Sequence, residues 1–161
     1  MSPHYNTDGK PKPTYHLYNL ESGKVNELLL SNYQTPSSFE FSKDGKKLYF
    51  TATTSGNPEW EGAGISELYV MAVMDRIVTK VDINNEWGLG FGGFKVFENG
   101  VLLNAAKGVL NPLVYVEQNK KGKWSQKTLN LGDKSGRVFI SEISDDSKLV
   151  VFTYSTASTP R

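Results

Sequence analysis

The sequence predicts an all-β fold of repeated antiparallel strands, and three observations lead to that prediction. An apolar segment, a tight turn and a second alternating segment recur three times, with the turns at Gly45, Gly100 and Ser147. These turns are 55 and 47 residues apart, which is a period typical of repeat folds. A second type of strand, turn and strand lies between successive units. Each repeat is therefore predicted to contain four strands.

The first type of unit occupies residues 39–52, 94–105 and 140–152. Within these segments aromatic and β-branched residues alternate with polar ones, which is the period of side chains on a strand. Asp44-Gly45 and the corresponding residues of the other copies are turn formers. Each segment is therefore predicted to form a hairpin.

The second type of unit occupies residues 15–30, 67–81 and 112–129. In the middle copy, Leu68 and Met71 are spaced as on one face of a helix, so a helix over Ser66 to Lys80 is an alternative. The β-branched residues of that segment and its match to the two sibling hairpins favour strands.

A repeat of four antiparallel strands is typical of a β-propeller blade. The sequence thus predicts a partial β-propeller with two full blades and two half blades. We expect residues 1–13 to be an N-terminal tail and residues 14–161 to form the partial propeller. The blade repeats lie near 14–30, 38–83, 91–131 and 138–161.

The half blades at the two ends predict that the chain is cut from a larger ring. Closing them on each other would give three blades, whereas propellers have four to eight. Open strand edges favour association, so we expect pairing with remaining blades or self-association. Two copies would supply six blades.

Composition excludes several partners. The chain has 18 basic and 17 acidic residues and a net charge of +1, so no overall field attracts nucleic acid. No apolar run is long enough for a membrane span, and residues 1–6 lack the apolar core of a signal peptide. The absence of cysteine excludes disulfides and thiolate chemistry but leaves the compartment, cytoplasmic or secreted, open.

Two repeats carry a family resemblance. Residues 42–51 and 143–153 resemble the Ser-x-Asp-Gly-Lys-x-hydrophobic-x-Phe core of TolB-type propeller repeats, which also occurs in the propeller of the prolyl oligopeptidase family. The tail, residues 151–161, resembles the last blade of the acylaminoacyl-peptidase and dipeptidyl-peptidase-like branch. The resemblance covers about residues 14–161 as a pattern. The chain departs from it at residues 98–100 and 145–147, where Glu-Asn-Gly and Asp-Asp-Ser stand.

The resemblance implies that the parent protein is a serine peptidase of short peptides. Its α/β-hydrolase domain would follow Arg161, since this chain has no G-x-S-x-G nucleophile elbow. His4 and His16 precede nearly every serine and aspartate, opposite to the order of that triad. The chain would therefore be a non-catalytic propeller portion that gates and orients peptides. The alternative is a stand-alone TolB-type module that binds a protein or ligand without catalysis.

The resemblance also implies a substrate-binding loop. In aminopeptidase-like members, acidic residues of propeller loops hold the free ammonium of the peptide. Glu59, Trp60 and Glu61 place two carboxylates beside an aromatic ring in a predicted loop and are the candidate residues. The competing interpretation is an ordinary solvated loop with one buried tryptophan.

Other motifs have structural interpretations. Residues 88–93 match G-x-G-x-x-G, but a strand is predicted after them where a dinucleotide site needs a helix. We expect a bulge or a close backbone approach there. The lysines of residues 119–123 are predicted to solubilise a hairpin tip. No spaced metal ligands follow the Asp-Gly turns, so no metal and no cofactor is predicted.

Overall fold

The computed structural model describes residues 13–28, 30, 33–54, 64–83, 88–97, 100–108, 110–134 and 136–156. The chain divides into two compact units, residues 1–34 and residues 35–161.

The described residues form twelve strands and no helix, so the predicted all-β class is confirmed. The strands are β1 (Tyr15–Tyr18), β2 (Val25–Leu28), β3 (Gln34–Phe41), β4 (Lys47–Thr54), β5 (Ile65–Ala72), β6 (Val78–Lys80), β7 (Gly88–Phe97), β8 (Gly100–Ala106), β9 (Leu113–Gln118), β10 (Trp124–Thr128), β11 (Arg137–Ile143) and β12 (Val150–Ser155).

The strands form four antiparallel sheets, none of which is closed. Strands β3, β4, β5 and β6 lie in chain order in one four-stranded sheet, and β7, β8, β9 and β10 do so in another. Strands β1 and β2 form one two-stranded sheet, and β11 and β12 form the other. The helical alternative for Ser66–Lys80 is wrong, because this segment forms β5 and β6, whose β-branched residues suit a pleated surface.

The first unit contains the hairpin of β1 and β2, in which Tyr18 pairs with Val25. Asn19 closes its turn: the Asn19 Oδ1 atom accepts hydrogen bonds from the backbone N–H groups of Glu21 and Ser22 at 3.0 and 2.7 Å. Gly23 adopts a positive φ of 68°, a conformation that favours glycine.

In the second unit, the two four-stranded sheets pack face to face around one apolar cluster. Tyr49 and Val70 contribute from β4 and β5, while Val101 and Leu103 contribute from β8. These four side chains are at most 5% exposed. Because side chains alternate along a strand, the opposite face of β8 is available for a second contact.

That opposite face packs against the sheet of β11 and β12. Leu102 and Leu113 form a buried cluster with Val138 of β11, and Ile140 and Phe152 pack against it. The sheet of β7–β10 therefore lies between two other sheets, and each of its faces forms part of the core.

Gly100 differs from its expected role. It is the first residue of β8 and pairs with Phe97 of β7, so it lies in a strand. Residues 98–99 lie outside the described residues. An added Cβ at Gly100 would lie 2.1 Å from the Val116 carbonyl oxygen of β9. Glycine is needed here because two backbones approach closely.

The glycine run at residues 88–93 belongs to β7. The register between β7 and β8 shifts between Leu89 and Phe94, as a bulge or another strand irregularity produces, and a Cβ added at Gly90 would lie 3.1 Å from the Asn104 carbonyl oxygen. Gly93 has a positive φ of 71°, consistent with an irregular strand at this point.

Candidate functional site

The predicted substrate-binding residues Glu59, Trp60 and Glu61 lie outside the described residues. Their proposed role therefore stays a prediction. The structure does describe charged and hydrogen-bonded side chains on β3, β7 and β11, which are the first strands of the three sheets in the second unit. It also describes the turns that follow β3 and β11.

The turns after β3 and β11 have the same hydrogen-bond pattern. The Ser42 hydroxyl donates to Asp44 Oδ1 at 2.7 Å, and the backbone N–H of Lys46 donates to the same oxygen at 3.0 Å. In the later turn, the Ser144 hydroxyl and the Lys148 N–H donate to Asp146 Oδ1 at 2.7 and 3.2 Å. The Ser-x-Asp motif therefore encodes one turn twice.

The same contacts lower the pKa values of the two carboxyl groups. Hydrogen bonds from Ser42 and then from the Lys46 backbone hold the pKa of Asp44 below its ordinary value. The Ser144 hydroxyl, followed by the Lys148 backbone, lowers the pKa of Asp146 in the same way. Both carboxylates are committed to shaping their turns, which argues against a catalytic role for them.

The fourth position of this turn needs a positive φ. Gly45 has a φ of 68°, and Ser147 adopts 58° at the equivalent position. A residue with a Cβ pays a steric cost in this region. The retained backbone geometry shows that the hydrogen bonds of the turn outweigh that cost at Ser147.

A row of three charged side chains joins the three first strands. Glu40 of β3, Lys95 of β7 and Glu142 of β11 each lie five residues before Gly45, Gly100 and Ser147 respectively. The Lys95 ammonium lies 3.5 Å from a Glu40 oxygen and 3.9 Å from a Glu142 oxygen. One repeat position thus supplies Glu, Lys and Glu side by side.

The members of this Glu-Lys-Glu row differ in environment. The side chains of Glu40 and Lys95 are about one-third exposed, and the Val96 N–H also donates to Glu40 at 2.9 Å. Glu142 is 69% exposed and accepts a hydrogen bond from the Ile143 N–H. Glu40 is therefore fixed by protein donors, whereas Glu142 presents its carboxylate to solvent.

Sequence reasoning did not single out this row. The signal was available, because all three residues occupy one position of the 55- and 47-residue repeat. Charge alternation within single strands did not reveal it, since the partners are on different sheets.

A buried amide links the second four-stranded sheet to β11. The Asn104 side chain is fully buried, and its Nδ2 donates to the Val138 carbonyl at 2.5 Å. Its Oδ1 accepts from the Ile140 N–H at 3.4 Å. These bonds satisfy a polar group that would otherwise be costly to bury.

The described residues contain no arrangement of nucleophile, histidine and carboxylate. His16 is an exposed residue of β1, and its Nε2 and the Thr14 hydroxyl are 3.2 Å apart. His4 lies outside the described residues.

The lysine-rich tip at residues 119–123 is a closed hairpin turn. Asn119 Oδ1 accepts from the N–H groups of Lys121 and Lys123 at 2.9 and 3.0 Å, and Gly122 has a positive φ of 79°. Gln118 further closes the turn through the Gly122 carbonyl. These contacts account for the motif as turn chemistry.

Within the described ranges, no three histidine, cysteine, aspartate or glutamate side chains are grouped to hold a metal ion. The same part of the chain includes no helix of the length and hydropathy that a membrane crossing requires.

No protein-family model matches the chain, and neither a curated protein nor a solved structure matches it.

Proposed function

We propose that this chain is the non-catalytic β-propeller portion of a serine peptidase, in which it gates and orients short peptides for an α/β-hydrolase domain. The Glu-Lys-Glu row carries the proposal. Glu40, Lys95 and Glu142 bring three successive first strands together at one repeat position. Propeller blades surround a central channel, and side-by-side first strands are the arrangement that such a channel needs.

The row also fits peptides as ligands. It offers two carboxylates and one ammonium, of which Glu142 is the most exposed. Charged groups of this kind bind the termini of short peptides through charge-assisted hydrogen bonds. Supporting the peptidase branch is the resemblance of residues 42–51 and 143–153 to the propeller repeats of prolyl oligopeptidases.

The first test is chemical labelling of the native polypeptide that carries this sequence. A fluorophosphonate probe should modify one serine on a polypeptide well above 17.9 kDa, the mass of this chain. Heat-denatured protein is the control and should remain unlabelled. An unlabelled native polypeptide would contradict the peptidase assignment.

The second test concerns Glu59 and Glu61. In the same native polypeptide, E59Q and E61Q should raise KM for peptides with a free N-terminus about tenfold, because each removes a charged acceptor. N-acetylated peptides should be cleaved as before. E117Q, which replaces an exposed glutamate on β9, is the control. Equal KM values for all variants would contradict the proposed ammonium-binding role.

The second candidate is a TolB-type propeller module without catalysis. The two Ser-x-Asp turns favour it, since their geometry is explained by turn formation alone. It predicts binding of a protein or ligand by the propeller and no reaction with the fluorophosphonate probe.

A further inference from the structure

Four described turns of the second unit lie at one end of its sheets. Antiparallel strands reverse direction at each turn, so the turns after the first and third strands of a sheet are at the same end. The turns after β3, β5, β9 and β11 are of this kind and comprise residues 42–46, 73–77, 119–123 and 144–149. These four segments are called the basic turn surface below.

Hydrogen bonds hold the four turns beside one another. The Val73 N–H donates to the Lys46 carbonyl at 2.9 Å, which joins the turns after β5 and β3. At the end of β9, Gln118 accepts from Lys47 Nζ at 3.3 Å. The Lys43 ammonium donates to a backbone carbonyl in the turn after β11. The turns therefore form one continuous surface across three sheets.

This surface has an excess of positive charge. It contains four aspartates and seven exposed cations, which are Lys43, Lys46, Arg76, Lys120, Lys121, Lys123 and Lys148. The excess is three charges, or two if Glu98, which stands between β7 and β8 in the sequence, is included. The connections after β4, β6, β8 and β10 contain five acidic residues and two lysines. The net charge of +1 for the whole chain therefore conceals a local positive field.

The three lysines of residues 119–123 are the most available cations of the surface. Within the described ranges none of them forms an ion pair, whereas Lys46 and Lys148 lie 3.6 and 3.2 Å from aspartates of their own turns. Their turn is closed by backbone N–H groups that donate to Asn119 Oδ1. The ammonium groups of this turn are therefore available to a ligand.

Exposed apolar side chains stand among the cations. Met74 is 90% exposed in the turn after β5, and Ile77 of the same turn is 61% exposed. Leu149, at the end of the turn after β11, is 71% exposed. Apolar side chains surrounded by lysines match the boundary of a lipid bilayer, where acyl chains meet charged head groups.

An anionic bilayer fits this combination better than a nucleic acid or an acidic protein does. The four turns contain no aromatic residue to stack on bases, and the described strands are accompanied by no helix that could enter a major groove. An acidic protein segment would neutralise the lysines and leave Met74 and Leu149 in water. A bilayer supplies both anionic groups and an apolar layer, and its fluid surface adapts to side chains on separate turns.

We propose that the basic turn surface docks this protein peripherally on an anionic lipid bilayer. The ammonium groups of Lys120 and Lys121, together with those of the neighbouring turns, lie among the lipid phosphates and carboxylates. Met74 and Leu149 enter the boundary between head groups and acyl chains. The inference rests on the described turns and does not depend on the proposed peptidase activity.

Cosedimentation of the full 161-residue protein with lipid vesicles tests the proposal. Vesicles of phosphatidylcholine with about 30% phosphatidylserine should bind the protein at about 0.1 M salt. Raising the salt concentration to about 0.5 M should release it, because salt screens the attraction. Vesicles of phosphatidylcholine alone should bind at least about tenfold more weakly.

Two double variants separate the position of the charge from its amount. K120E/K121E should weaken binding to the phosphatidylserine vesicles at least about tenfold, because two attractive charges become repulsive. K107E/K134E is the matched control, since it changes the net charge equally at exposed lysines of the connections after β8 and β10. It should leave binding within about threefold, because these lysines are at the other end of the sheets.

A second pair of variants tests the apolar contact. Met74→Ser should weaken binding to the phosphatidylserine vesicles about fivefold or more, because it removes an apolar side chain from the bilayer boundary. Ile65→Ser is the matched control: Ile65 is 65% exposed and begins β5, at the opposite end of that strand from the turn that carries Met74. This control should bind within about twofold of wild type.

Lysine acetylation of the wild-type protein requires no variant to fold. Phosphatidylserine vesicles should protect the lysines of residues 119–123 more than Lys107 and Lys134. Absence of phosphatidylserine-dependent binding, equal loss in the two double variants, or equal protection of all these lysines overturns the proposal. Full binding by Met74→Ser together with displacement of the vesicles by soluble polyglutamate also overturns it, because an acidic protein would then be the occupant.

Discussion

Gly100 and Gly136 show how single residues set strand spacing in this protein. A Cβ at Gly136 would lie 2.4 Å from the Ser155 carbonyl oxygen, and one at Gly100 would be closer still to that of Val116. Real Cβ atoms do not approach backbone oxygens so closely. Both glycines are therefore needed for their space, and not for an unusual φ.

Gly100→Ala should lower the free energy of unfolding by about 2–4 kcal/mol, because β8 and β9 must separate to admit the methyl group. Gly88→Ala is the matched control: it lies on the neighbouring β7, and an added Cβ there would meet nothing within 4 Å. Urea unfolding of both variants checks this. Similar stability of the two variants would contradict the steric account.

The pKa of Asp44 provides a second residue-scale prediction. Ser42→Ala removes the largest cause of its lowered pKa, so the pKa of Asp44 should rise. The pKa of Asp146 should not change, because its hydroxyl donor is Ser144. Carboxyl NMR titration measures both groups in one sample. A constant Asp44 pKa would show that the hydroxyl contact does not form.

The lowered pKa of Asp44 has a defined effect on stability. Its folded pKa is below the unfolded value, so its contribution is complete above the unfolded pKa, about 3.9. That contribution is lost as the pH falls through the folded pKa. Ser42→Ala should therefore lose more stability relative to wild type at neutral pH than at pH values below both pKa values.

At the scale of elements, the hairpins could be predicted and the contacts between sheets could not. Period-two alternation in residues 39–52 and 140–152 was sufficient to predict β3, β4, β11 and β12, because each strand pairs with its neighbour in sequence. In the sequence, Asn104 is an isolated polar residue within an apolar segment. Its partners Val138 and Ile140 are 34 and 36 residues away, and no local pattern reveals them.

Asn104→Ala should reduce the free energy of unfolding by about 2–4 kcal/mol, since it leaves a cavity and removes the partners of two backbone groups in β11. Hydrogen exchange of the Ile140 amide should accelerate more than that of β4 amides. Val101→Ala, on the opposite face of β8, is the control. It should not accelerate hydrogen exchange of the Ile140 amide more than that of the β4 amides. Uniform acceleration in Asn104→Ala would argue against the amide link.

At the scale of the whole molecule, the second unit is held by repeated contacts between adjacent sheets. Apolar clusters supply most of each interface. The Glu-Lys-Glu row adds a polar contact across three sheets, and the Lys43 ammonium donates to the Asp145 carbonyl between the two equivalent turns. Stability should therefore depend on the sign of the charge at the centre of the row.

Lys95→Glu would place three carboxylates at one repeat position. We expect a loss of about 1–2 kcal/mol in the free energy of unfolding at low ionic strength, because attraction becomes repulsion. About 0.5 M salt should recover much of that loss through screening. Lys127→Glu, at an exposed residue of β10, is the control and should change stability by less than about 0.5 kcal/mol. A salt-independent loss would indicate disrupted packing.

The recurrence of one interface at fixed positions has a genetic consequence. A new sheet produced by in-frame tandem duplication of one repeat already carries side chains that match the sheet before it. Unequal recombination between such repeats can therefore change the number of sheets while each new interface keeps matching apolar side chains. The two Ser-x-Asp turns, 102 residues apart, share their principal hydrogen bonds, as two copies of one repeat would.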